Sequence, residues 1–231
     1  MKRSYKKAAT IPAAGGYRIA LDGRLVKTAG KHDLIVPSLA LAEAVAAEWE
    51  AQQGEIRRER MPLTRPAGTT IDRNSTQCEA IVRQIVHYAG TDLVCYRAAH
   101  PPTLATRQQA VWQPLIDWVN ERYNAPLMVT NGVIPTNQSA ASLAAFAAVV
   151  AAHDDFSLTA LRAATAACGS LVIALALLAG RLDADQAFAA SQLDESFQIE
   201  AWGEDPEQAE RRGALAADIA AAAQFTSLLR T

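Results

Sequence analysis

Apolar and polar residues alternate near the start of the chain, which is the pattern of β-strands. Tyr17, Ile19 and Leu21 fall on one face of such a strand. The pair Asp22-Gly23 that follows is a strong signal for a two-residue hairpin turn. Neighbouring strands are predicted at Ser4–Thr10 before this segment and at Leu34–Val36 after it. The pattern therefore predicts a small antiparallel sheet.

Beyond the sheet the apolar spacing changes to the three or four residues typical of helices. Ser38 is predicted to cap the first helix, whose apolar stripe contains Leu41, Val45 and Trp49, and we expect Trp49 to be buried. Helices are predicted for most of the remaining chain. Pro114 lies inside a long one and should kink or split it, because an interior proline costs about 3 kcal/mol.

The region 183–202 is predicted to be one helix. Glu195, Ile199 and Trp202 are spaced i, i+4, i+7 and share a face of that helix. Asp205 is predicted to be the N-cap of the closing helix, because a proline follows it at the first helical position.

These elements predict an α+β fold. A small N-terminal antiparallel β domain with one helix, residues 1–60, is followed by a larger, mainly α-helical C-terminal domain, residues 61–231. The longest apolar run, residues 171–179, is too short for a membrane span, which needs about 20 apolar residues. We expect it to be a buried helix.

Composition and charge exclude several classes of function. The net charge of −2 provides no basic field for nucleic acid or for an anionic membrane. Cys78, Cys95 and Cys168 lie far apart with no C-x-x-C pair, which argues against a disulfide framework or a structural zinc site. No apolar segment follows the basic N-terminus, so no secretory signal is expected.

Motifs for enzymatic chemistry are weak. The glycine-rich phosphate-binding motifs are missing from the sequence. Cys95 has His100 five residues later, but a cysteine among Leu, Val and Tyr is more often a small buried hydrophobe. His153 next to Asp154 and Asp155 could imitate part of a metal site, although either aspartate as a helix N-cap explains the same residues better.

An acidic segment, residues 191–205, leaves three interpretations open. Asp194 and Glu195 could be the acid–base pair of a small hydrolase or lyase. The segment could instead be an amphipathic helix whose solvated side is acidic. It could also be a recognition surface on which aromatic side chains such as Trp202 contribute affinity and carboxylates steer a basic partner.

A resemblance decides among these interpretations. Five blocks occur in order along nearly the whole chain: LDGRLVKT, LIVPSLALAEAVAAEWEAQ, MPLTRPAGTTIDR, GTDLVCYRA and SQLDESFQIEAWGED. Together they resemble the assembly chaperone family of the F-type ATP synthase, which holds the α subunit of the soluble catalytic head. One departure is Gly68, which stands where the resemblance leads us to expect asparagine.

The resemblance implies a non-enzymatic chaperone without a cofactor or a metal. Its partner would be the unassembled α subunit, which it would keep from aggregating until the β subunit joins. We expect no nucleic-acid binding, no membrane insertion, and a monomer when free. Because the chain starts close to the first block, the bacterial cytoplasm is expected, or the mitochondrial matrix for a eukaryotic source.

The resemblance also places the partner-binding site in the acidic segment. The residues implied are Asp194, Glu195, Trp202, Glu204 and Asp205. If these residues border a recognition surface, charge reversal at Asp194 or Glu195 is expected to damage partner binding more than folding.

Overall fold

The computed structural model describes residues 2–73, 75–132 and 136–231. The strands are β1 (Ala8–Ala13), β2 (Gly16–Leu21), β3 (Arg24–Leu25), β4 (Ile35–Val36), β5 (Tyr96–Arg97) and β6 (Thr130–Asn131). The α-helices are α1 (Leu39–Glu50), α2 (Thr64–Ile71), α3 (Ser75–Gly90), α4 (Pro102–Tyr123), α5 (Ala140–Ala151), α6 (Asp155–Cys168), α7 (Leu171–Leu178), α8 (Ala184–Ser191), α9 (Leu193–Trp202) and α10 (Pro206–Leu229). A small antiparallel sheet thus precedes a mainly helical region, and the predicted α+β class is confirmed.

The chain forms two compact units. One unit contains Met1–Cys78 together with Asp155–Ala160 and Gln224–Thr231, and the other contains Glu79–Asp154 and Leu161–Ala223. The N-terminal unit therefore takes in short segments from much later in the chain. The domain boundary after residue 60 stays a prediction.

In the first unit, β2 is the central strand of the sheet. It pairs antiparallel with β1, β3 and β4. The turn between β2 and β3 is formed by Asp22 (φ 47°) and Gly23 (φ 82°), and two positive φ values are what a type I′ hairpin requires. The predicted hairpin is confirmed.

Helix α1 packs against this sheet. The Ser38 hydroxyl accepts a hydrogen bond from the Leu41 amide at 3.1 Å, which confirms the predicted N-cap. Leu41 and Val45 are fully buried, whereas Trp49 is only half-buried, so the expectation for Trp49 was wrong in degree. The Trp49 ring lies edge-on to Tyr5, with 6.1 Å between ring centroids.

Pro114 neither ends nor splits the long helix. Helix α4 continues through it, from Pro102 to Tyr123. Trp112, Leu115 and Ile116, on both sides of the proline, are buried in the second unit. Packing of these large side chains offsets the hydrogen bond that proline cannot donate.

The region predicted to be one helix over 183–202 is two helices. Helix α8 ends at Ser191 and α9 begins at Leu193, with Gln192 between them in a non-helical conformation. The indole Nε1 of Trp112 donates a hydrogen bond of 2.8 Å to the Ala190 carbonyl. That carbonyl would otherwise accept from the amide four residues later, so a side chain from α4 satisfies it at the break.

Helix α7 is the centre of the second unit. All eight of its residues, Leu171–Leu178, are buried, and it packs against α4 and α8. The predicted buried helix is confirmed. Within the described ranges, no helix combines the length and the apolar character needed to span a membrane.

The carboxylate of Asp92 holds the N-terminus of α7. Asp92 is completely buried and accepts hydrogen bonds from the Ser170 hydroxyl (2.6 Å) and from the amides of Leu171 (2.8 Å) and Val172 (3.1 Å). It also accepts from the amide of Val94 at 3.2 Å. Burial raises the pKa of Asp92 to about 6, and these four hydrogen bonds oppose the rise.

Replacing Asp92 with alanine should strongly destabilise the protein. The substitution leaves the buried donors of Ser170, Leu171 and Val172 without this acceptor, and one unsatisfied buried donor costs about 1–3 kcal/mol. We expect a loss of at least 3 kcal/mol in the free energy of unfolding in urea. The matched control is Asp183→Ala, which removes the exposed N-cap of α8 and should cost only about 1 kcal/mol.

Asp92 should also make stability depend on pH. Its folded pKa of about 6 lies above the ordinary aspartate pKa of 3.8, so between these values the folded protein holds a proton that the unfolded chain releases. The contribution of Asp92 to stability should therefore fall as pH rises from about 4 to about 6, by on the order of 3 kcal/mol, and then stay level. Urea titrations at pH 4 to 8 on wild type and Asp92→Asn would measure it. A constant difference between the two proteins would contradict the prediction.

Candidate partner-binding surface

Asp194, in the first turn of α9, is joined to helix α4. Its carboxylate accepts a hydrogen bond of 2.7 Å from Nε2 of Gln108, and the Oε1 of the same glutamine accepts from the Ala98 amide at 2.7 Å. Burial raises the pKa of Asp194, while the Gln108 hydrogen bond and the positive charge of Arg97 oppose the rise. Asp194 is therefore half-buried and fixes the start of α9, rather than lying on an open rim.

Glu195 and Glu204 join the α9 region to α10. The Glu195 Oε1 accepts from Nε2 of Gln208 and from Nη2 of Arg211, the latter at 3.0 Å. Glu204 forms an ion pair of 3.1 Å with Nε of Arg212. Glu195, the acid that shares a helix face with Ile199 and Trp202, thus has its partners on α10. Because Asp194 and Glu195 both make intramolecular bonds, charge reversal at either residue should also destabilise the fold. That it damages partner binding more than folding stays a prediction.

Trp202 and Asp205 lie where α9 ends and α10 begins. Trp202 is 81% exposed, more than any other large apolar side chain in the described part of the chain. Gly203 follows it with φ 85° and ends the helix. Asp205 accepts from the Gln208 amide at 2.9 Å, which confirms it as the N-cap of α10.

An open apolar groove of ≈520 Å³ lies between α4, α8 and α9. It has Val111 and Leu115 from α4 on one wall, and Ala189 and Leu193 from α8 and α9 on the other. Val111 is 39% exposed, although it is a large apolar residue. We call this feature the α4–α9 groove. Sequence patterns did not reveal it, because its walls lie about eighty residues apart and no motif joins them.

Arg107 closes one edge of the α4–α9 groove. Its guanidinium forms an ion pair with Glu200 of α9 (2.7 Å) and lies 5.2 Å from the ring centroid of Phe197. The carboxylates of α9 that sequence reasoning offered for catalysis are thus held by side chains from α4 and α10. These contacts fix α9 against its neighbouring helices.

The other candidate residues have structural roles. Burial raises the pKa of the Cys95 thiol to about 12, so the thiol stays protonated and unreactive, as expected of a buried hydrophobe. Nδ1 of His153 lies 2.9 Å from the Val149 carbonyl, and α6 begins at Asp155 directly after Asp154. Among the described residues, no three His, Cys, Asp or Glu side chains group as metal ligands would.

Comparison with known proteins gives one consistent result. Residues 2–120 match the model of the ATP12 chaperone protein family. The crystal structure of Atp12 from Paracoccus denitrificans is 40% identical, with a TM-score of 0.94, and the alignment covers 99% of this chain and 98% of that one. A protein from Agrobacterium tumefaciens is 36% identical, with a TM-score of 0.93 and coverage of 99% and 86%.

A curated relative extends the similarity to a eukaryote. The mitochondrial protein atp12 of Schizosaccharomyces pombe is 23% identical over 214 residues, which are 87% of this chain and 74% of the relative. The family match covers more than half of this chain, and the structural similarity covers nearly all of it. The chain therefore belongs to the ATP12 chaperone family, whose members are assembly chaperones of the F-type ATP synthase.

Proposed function

We propose that this protein binds the unassembled α subunit of the F-type ATP synthase and prevents its aggregation until the β subunit joins it. A subunit of a hexameric ring exposes, before assembly, the apolar surface that its neighbour later covers, and such surface aggregates. A holder of that surface needs an exposed apolar patch of its own. It needs neither a catalytic group nor a cofactor, and we assign none. We place the protein in the bacterial cytoplasm, or in the mitochondrial matrix if the source is eukaryotic.

The observation that carries this proposal is the exposure of Trp202. Large aromatic side chains are costly to leave in water and are enriched among the residues that dominate binding energy. Trp202 is 81% exposed, and it ends the helix whose first residues line the α4–α9 groove. Helix α9 therefore lines an open apolar groove with its first residues and exposes a large aromatic residue at its end, and both features suit an apolar client. We call the two features together the α9 surface.

Within this surface the predicted residues have two roles. Trp202, Glu204 and Asp205 form its exposed end, where carboxylates steer a partner and exclude wrong ones. Asp194 and Glu195 act on binding through the position of α9, because their hydrogen bonds fix that helix against α4 and α10. A polar edge around an apolar patch also allows the incoming β subunit to displace the chaperone without hydrolysis of ATP.

Replacing Trp202 with alanine should weaken binding of purified α subunit without destabilising the chaperone. Loss of an interface hot spot costs about 2 kcal/mol or more, which corresponds to a dissociation constant about 30-fold higher. The free energy of unfolding should change by less than about 0.5 kcal/mol, since the side chain is exposed. Met128→Ala is the matched control, because Met128 is 55% exposed and lies outside α9 and the α4–α9 groove.

The same measurement, made with purified β subunit, tests the choice of client. Wild type should bind the α subunit and suppress its light scattering on dilution from denaturant, with little effect on β. Equal binding of both subunits would make the α-subunit assignment wrong. Normal binding by Trp202→Ala would remove Trp202 from the surface.

Substitutions at Asp194 and Asp205 should separate support of α9 from direct contact. Asp194→Lys places a second cation near Arg97 and Gln108, so it should cost about 2 kcal/mol or more of stability, and binding should fall as a consequence. Asp205→Asn keeps a good N-cap and removes only the charge, so stability should change by less than about 0.5 kcal/mol. Urea titrations and binding of the α subunit at 50 and 300 mM salt would measure both effects. A weaker salt dependence is expected for Asp205→Asn only.

A further inference from the structure

The N-terminal unit contains a cavity of ≈170 Å³ that is separate from the α9 surface. Its apolar lining is formed by Val26, Leu34, Met61 and Trp49, of which the first three are buried. Pockets for free small molecules usually measure about 300–1,000 Å³. The size therefore favours one side chain of a polypeptide over a cofactor.

Gly68 lies in the wall of this cavity, inside helix α2. Its backbone is helical, and a Cβ at this position would meet no heavy atom within 4 Å outside its own helix and its chain neighbours. Gly30 differs, because a Cβ there would lie 2.6 Å from Oδ1 of Asp72. Glycine inside a helix is destabilising relative to most other residues. Neither conformation nor packing requires glycine at this position, and the space above Gly68 opens into the cavity, where an occupant can approach the backbone of α2.

The rim of the cavity is basic. Arg58 and Arg65 line it and are exposed, and within the described ranges no ion pair joins either guanidinium to a carboxylate. One carboxylate, Asp72, also lines the cavity, and it binds the Thr28 hydroxyl, the Gly30 amide and Nδ1 of His32. Two guanidinium groups against this one carboxylate leave the lining with a net positive charge.

We infer that this cavity is a second client-docking pocket, which receives an apolar side chain flanked by carboxylates from a segment of the α subunit. The apolar lining takes the side chain, Arg58 and Arg65 bind the carboxylates, and Gly68 lets the backbone of the segment approach α2. The inference rests on the proposed function, because the α subunit supplies the occupant. Two separate contacts would raise affinity through effective concentration while each remains weak enough to be displaced.

Two changes with matched controls test the pocket against purified α subunit. Gly68→Gln fills the open space and should raise the melting temperature by about 2 °C, since glutamine is the better helix former. It should also raise the dissociation constant about tenfold. Gly213→Gln is the control, because Gly213 lies inside α10 with the same open space and outside the cavity. Its melting temperature should rise in the same way, with unchanged binding.

The second change is the double variant Arg58→Glu with Arg65→Glu. It should weaken binding about tenfold, and more at low salt than at high salt. The control is Arg24→Glu, an exposed charge reversal on β3 of the same unit, which should bind as wild type does. Because Arg58 and Arg65 are exposed, this variant tests the pocket even if Gly68→Gln fails to fold.

The outcomes are distinguishable. If wild type and both controls bind the α subunit and the pocket variants bind equally well, the pocket inference is wrong and the proposed function stands. If wild type itself fails to bind, the proposed function is wrong and the inference fails with it. Analytical ultracentrifugation of the free protein tests whether a second copy of this chain, rather than the α subunit, occupies the pocket. A dimer that dissociates in the double variant would assign the pocket to a second copy of this chain and overturn the inference.

Discussion

The helical unit depends on the buried carboxylate of Asp92. A helix as apolar as α7 is stable only if the polar groups at its N-terminus are satisfied inside the protein. Asp92 and Ser170 supply acceptors for three amides there. The carboxylate itself is strongly desolvated, and the four donors around it offset part of that cost. With this end satisfied, α7 can be surrounded by other helices.

The order imposed by α7 extends through α4 to helix α9, which forms part of the proposed client-binding surface. Trp112 of α4 is fully buried and binds the Ala190 carbonyl, which is where α8 ends. Gln108, one turn earlier on α4, binds Asp194 in the first turn of α9. Trp112 and Gln108 of α4 thus fix the position of α9 relative to α8. The C-terminal residue of α9, Trp202, remains in solvent, because polar contacts of the α9 carboxylates hold the helix without burying that side chain.

The unusual composition of α9 follows from this arrangement. A helix that is attached to its own protein by hydrogen bonds and ion pairs need not bury its largest aromatic residue. Asp194, Glu195 and Glu200 bind Gln108, Arg211 and Arg107 respectively. The carboxylates therefore take the structural role that apolar side chains have in most surface helices. The aromatic residue is left available for a partner, as the role of an assembly chaperone requires.

Local patterns in the sequence determined much of this structure. The alternation before Asp22-Gly23 predicted the hairpin, Ser38 and Asp205 predicted helix starts, and the run over 171–179 predicted a buried helix. Each of these features depends on residues a few positions apart, whose preferences act within one turn or one strand pair. The order of five family blocks added the class of function.

Only the tertiary structure decided where α9 begins and which of its side chains are bound or exposed. Pro114 remained helical because large buried neighbours offset its missing hydrogen bond, and the 183–202 region broke at Gln192 because an indole from α4 satisfies a carbonyl there. Asp194 was expected to border a recognition surface, whereas its carboxylate binds Gln108 and fixes the start of α9. The sequence did not indicate this contact, because Gln108 is 86 positions away. Contacts over such distances depend on how helices pack, and a pattern read along one segment contains no information about the side chain that will meet it from another.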